Sequence, residues 1–175
     1  MKKTFALILA VLFVAMSFSG CGTGPNLGFT YQELGAKLES QFQADQAKLS
    51  VGEWTHSDTD KSDYYAKIGD NITLFAGCTN NGSGPVKNIT VMLDVKKEIG
   101  KTPKPTKEYI YLVKTVYYLL QAECTKEQEE EFERIIINAI NYPVMERFTY
   151  LTQDKYKYSF RPKTEWFSFI VDLAE

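Results

Sequence analysis

Histidine is almost missing from this 175-residue chain: His56 is the only one. A Ser-His-Asp triad needs a histidine held by a carboxylate, with a nucleophile in hydrogen-bond reach. No G-x-S-x-G nucleophile elbow occurs. A histidine-rich zinc centre is excluded, and Cys21, Cys78 and Cys124 lack the close spacing of zinc ligands. Charge of either sign is not in excess: 20 basic residues face 22 acidic ones. A nucleic-acid partner wants a basic face, so none is expected. The glycines of Asn80–Pro85 lack the Lys-Ser/Thr ending of a phosphate loop and stand between two strand-like runs, so they read as turn formers. Long apolar runs are missing too. Thr4–Phe18 is fifteen residues, short of the about 20 that a spanning helix needs.

What that short run does resemble is an export signal. Lys2 and Lys3 precede it, and small residues follow it. Ser17-Phe18-Ser19 would serve as an ordinary cleavage site. Phe18-Ser19-Gly20-Cys21 resembles the lipobox of bacterial lipoproteins, with Phe18 standing where an aliphatic residue is usual. The resemblance covers about the first 21 residues. It implies a signal peptide over 1–20, palmitate-type acyl chains on Cys21, and a protein held on the extracytoplasmic face of the cell membrane. Residues 21–28, rich in Gly and Pro, then read as a flexible tether. Loss of Lys2 and Lys3 with the leader takes the net charge from −2 to −4.

Residues 29–175 are enough for one domain with a real core. Thr30-Tyr31-Gln32-Glu33 is a capping box, and Tyr31, Leu34, Leu38, Phe42 and Leu49 follow near helical spacing. Tyr64–Ile68, Ile72–Cys78 and the run through Ile89, Val91, Leu93 and Val95 alternate as strands. Pro103 and Pro105 break the pattern. A helix through Tyr109–Leu120 and a second, capped at Thr125 and stopped by Pro143, come next. Strands are expected again over Phe148–Leu151, Tyr156–Phe160 and Phe167–Leu173. The order α-βββ-αα-βββ predicts an α+β fold, a curved antiparallel sheet covered on one face by about three helices. Both halves offer a capped helix and three strands, as a degenerate duplication would.

Few residues offer chemistry. Asp58, Asp60 and Ser62 imitate the first ligands of a calcium loop, but Asp63 and Gly69 stand where its glycine and bidentate glutamate belong. A solvated loop is expected there, with no metal and no cofactor. If lipid occupies Cys21, Cys78 and Cys124 remain outside the cytoplasm, where disulfides persist. A bond between them would stabilise by roughly 4 kcal/mol. Two functional classes stay open. One is a non-catalytic binding or envelope-assembly domain for a protein, peptide or glycan. The other is a carboxylate-dependent envelope hydrolase using Glu53, Asp58 or Asp60.

Overall fold

The computed structural model describes residues 25–95, 105–141, 149–162 and 166–174. Residues 1–20, Cys21 and Pro143 lie outside them. Among the described residues the chain forms helices α1 (Tyr31–Ala44), α2 (Lys107–Leu120) and α3 (Lys126–Asn141). Its strands are β1 (Thr55–His56), β2 (Asp63–Ile68), β3 (Ile72–Cys78), β4 (Val86–Asp94), β5 (Thr149–Gln153), β6 (Tyr156–Pro162) and β7 (Trp166–Leu173). The fold is α+β, in the expected order, with the short β1 added.

One seven-stranded antiparallel sheet runs β1-β2-β3-β4-β7-β6-β5. Two meanders, β2–β4 and β5–β7, meet at the β4–β7 pair. Alternation sorts every strand into two faces. Ala66, Leu74, Val91, Phe169, Phe160 and Thr149 share one cross-strand row, and the described side chains of that row are buried. The helices cover this face, with α2 packed on β4 and α3 on β5 and β6. Phe132 of α3 is the hub. It stacks on Tyr117 at 3.7 Å and meets Tyr158 and Phe169 edge-on. Burying each such ring stabilises by about 1.5–3 kcal/mol.

Local chemistry sets the helix ends. Thr30 Oγ1 accepts from Glu33 N at 3.2 Å, and Glu33 Oε2 accepts from Thr30 N at 2.7 Å. The Thr125–Gln128 pair repeats the device at α3. The first helix ends at Ala44, before the predicted Leu49. Gln46 takes φ 55°, and Ala47 N donates to Phe42 O at 2.8 Å. This is a Schellman stop made with glutamine where glycine is usual.

Leu27, expected as part of a flexible tether from the composition of residues 21–28, is packed and bonded into the fold. Leu27 is only 4% exposed. Its N–H donates to Val86 O at 2.7 Å, and Val86 N donates to Phe29 O at 2.8 Å. Gly28, between them, has φ +88°, a conformation that costs little only for glycine. Leu27 and Phe29 join the core because apolar burial and two backbone bonds outweigh the freedom of a Gly/Pro segment.

Candidate functional site: the second face of the sheet

The face turned away from the helices is different in kind. Its central rows are Tyr65–Phe75–Thr90–Ile170–Ser159 and Lys67–Thr73–Met92–Ser168–Arg161. Tyr65, Phe75, Met92, Ile170 and Trp166 are half-buried, and none belongs to the helix-side core or packs against it. Tyr65 and Phe75 rings lie 6.0 Å apart. Thr73, Ser159 and Ser168 sit low between these larger groups and are buried. Lys67 Nζ donates to Thr73 Oγ1 at 2.8 Å. Ser168 Oγ, on a residue 4% exposed, has no hydrogen-bond partner among the described residues. An unmet buried hydroxyl costs stability and calls for a reason. The arrangement is a platform of apolar groups with hydroxyls recessed among them. It can hold a chain laid across the strands.

The residues singled out from the sequence lie elsewhere. Cys21 is outside the described residues. Cys78 and Cys124 are both free thiols, so the expected bond is not formed. Cys78 ends β3 opposite Val86, with Asp63, Lys87 and Tyr31 around it. Cys124 lies beside Tyr117 and Tyr118, between α2 and α3. The helix faces do cover the sheet, but the inter-helix turn falls toward the β5–β6 hairpin, where Tyr117 and Gln128 meet Gln153. Sharing a core is not sharing bonding distance.

The calcium-like loop has its own use for its groups. Asp60 Oδ1 accepts from Ser62 N at 2.9 Å and from Ser62 Oγ at 2.6 Å. These bonds hold the Asp60 carboxyl below the usual carboxylate range. Burial, then the nearby Asp60, pushes Asp63 up. Asp58 and Glu53 are exposed. Among the described residues no group of three or more His, Cys, Asp or Glu is placed to hold a metal. The ring of His56 meets Tyr64 edge-on at 4.9 Å, and Nε2 lies 2.7 Å from Lys61 O. Its partners close a loop.

A cavity of about 20 Å³ lies between α2, α3 and the β6–β7 pair, walled mainly by Tyr109, Val113, Ile136, Ala139, Phe160 and Phe167. That is room for about one water, in walls that offer it little. At the other end of the helices, Tyr117 donates to Gln153 Oε1 at 2.7 Å, and Gln153 Nε2 donates to Gln128 O at 3.0 Å. This network ties α2, α3 and the β5–β6 hairpin together.

The platform residues were visible only as the alternate positions of the strands. Phe75 sits between Leu74 and Ala76, and Ile170 between Phe169 and Val171. Apolar residues on both faces blur alternation, which is the signal that separates core from surface. Comparison with known proteins finds no matching family model, no matching curated protein and no matching solved structure. Among the described residues no helix is long and apolar enough to cross a membrane.

Proposed function

We propose that the chain is a lipid-anchored domain on the extracytoplasmic face of a cell membrane, acting by binding a polypeptide on the second face of its sheet. The anchor rests on Ser19-Gly20-Cys21 after a short apolar run. The observation that carries the binding reading is the platform itself. Five half-buried large side chains from four strands lie outside the core, on the same face as a buried hydroxyl, Ser168 Oγ, that has no partner among the described residues. Met92 and Ile170 make it more aliphatic than a purely aromatic sugar platform, which favours apolar side chains of a polypeptide over a glycan. The carboxylate-hydrolase alternative loses ground, because Glu53 and Asp58 are solvated and Asp60 is engaged by Ser62.

Two measurements test this. Intact mass of the membrane-bound protein should show acyl chains on Cys21, and Cys21→Ala should release or misprocess it. A photo-crosslinking residue at position 170 should trap a discrete polypeptide in intact membranes. The same residue at Ile137, 54% exposed on α3, should not. Equal retention of the Cys21 variant defeats the anchor. Equal or absent crosslinking at both positions defeats the platform.

A further inference from the structure

We propose that the domain stands on the lipid surface by the end of the sheet that carries the Thr79–Pro85 and Ser57–Ser62 loops, with the Gly69–Asn71 turn pointing away. The inference rests on the reading of Cys21 as the lipidated residue and adds an orientation to it.

Leu27 is buried and bonded to Val86, so the fold holds the chain there. Six peptide steps separate Cys21 from Leu27, and a chain of that length reaches at most about 20 Å. Val86 opens β4 and lies opposite Cys78, where β3 ends. The attachment point is therefore at one end of the strands. Asp94 closes β4 at the other end, where its N–H donates to Asn71 O at 2.8 Å. Nine strand residues separate these ends, about 27 Å of sheet. The span of the sheet exceeds the reach of the tether, so the two ends do not have equal access to the bilayer.

Charges at this end are mixed on the sheet side, Asp58, Asp60 and Asp154 against Lys61, Lys87 and Lys155, and acidic at the inter-helix turn beside the β5–β6 hairpin, where Glu123, Glu127 and Glu129 outnumber Lys126. Such an end is not drawn onto anionic headgroups, so the tether sets the orientation. The platform then stands beside the domain rather than underneath it, open to a partner along its whole height.

The test uses the full lipidated chain in vesicles containing nitroxide-headgroup lipid. A single fluorophore is placed at Ser83→Cys or at Asp70→Cys, both exposed sites, in a Cys124→Ser background. Quenching several-fold stronger at position 83 than at position 70 is the expected result. Equal quenching, or stronger quenching at position 70, on protein whose mass shows acyl chains on Cys21 overturns the orientation and leaves the anchor standing. Protein without acyl mass on Cys21 overturns both.

Discussion

The indole of Trp54 lies against the backbone of Gly35, in the space where any other residue would carry a side chain. A Cβ at position 35 would stand 2.8 Å from Trp54 Nε1. The indole meets Tyr31 edge-on at 5.4 Å, and Tyr31 stacks on Tyr64 at 3.9 Å. This row joins α1 to the β1–β2 edge. Glycine inside a helix ordinarily costs about 1 kcal/mol against alanine, so Gly35→Ala would stabilise an unencumbered helix. Here the methyl must displace a ring held by its neighbours. The expected result is a net loss of about 1–2 kcal/mol, read as a lower denaturant midpoint with a shift in tryptophan emission. A gain in stability would show that the ring yields freely.

Ser168→Ala should behave in the opposite way. Its hydroxyl is buried without a partner, and removing such a group relieves a desolvation cost of about 1–3 kcal/mol. The variant should melt at or above the parent's temperature. If the platform is the binding site, crosslinking at position 170 should fall in the same variant. Lower stability would mean that the hydroxyl is satisfied in the folded protein.

Tyr117→Phe removes a donor without removing the ring. Tyr117 is wholly buried and Gln153 is 6% exposed. The Gln153 Oε1 left behind loses its 2.7 Å bond inside the core. The expected cost is about 1–3 kcal/mol, although the stacking on Phe132 survives. Adding Gln153→Leu should recover part of it, because the acceptor goes too. A second variant as damaging as both single changes summed would show that the two groups are not coupled.

The order of elements was legible because the devices that set it are local. Thr30 with Glu33 and Thr125 with Gln128 announce their helices within four residues, and Ile72–Cys78 alternates openly. What escaped depended on distant partners. No glycine marks the end of α1, because Gln46 takes the left-handed position itself. The two-residue β1 sits in a polar stretch and exists through its pairing with Tyr64 and Tyr65. Leu27 looked like tether until its N–H met Val86 O and Val86 N met Phe29 O. The platform escaped for the same reason. Tyr65, Phe75, Met92, Ile170 and Trp166 come from four strands, and only the register brings them together.

The last prediction concerns Cys78, which is 1% exposed at the end of β3. Burial, and then the neighbouring Asp63, pushes its thiol up to about 11 from an ordinary value of 9.0. The unfolded chain ionises this thiol more readily than the folded one does. Its stabilising contribution is therefore complete below pH 9 and is lost as the pH rises through about 11. Burial also pushes the Tyr117 hydroxyl up to about 12, so tyrosine continues the decline at higher pH. Denaturant midpoints measured between pH 8 and pH 11 should fall steadily for the parent. Cys78→Ala should begin lower, because a packed sulfur is gone, and should fall less steeply over that window. Parallel curves would refute the assignment. The same burial predicts the thiol chemistry: at pH 8 an alkylating reagent should modify the half-buried Cys124 in the native protein and Cys78 only on unfolding. A peptide linking the two residues in a non-reducing digest would contradict both their separation and the alkaline transition.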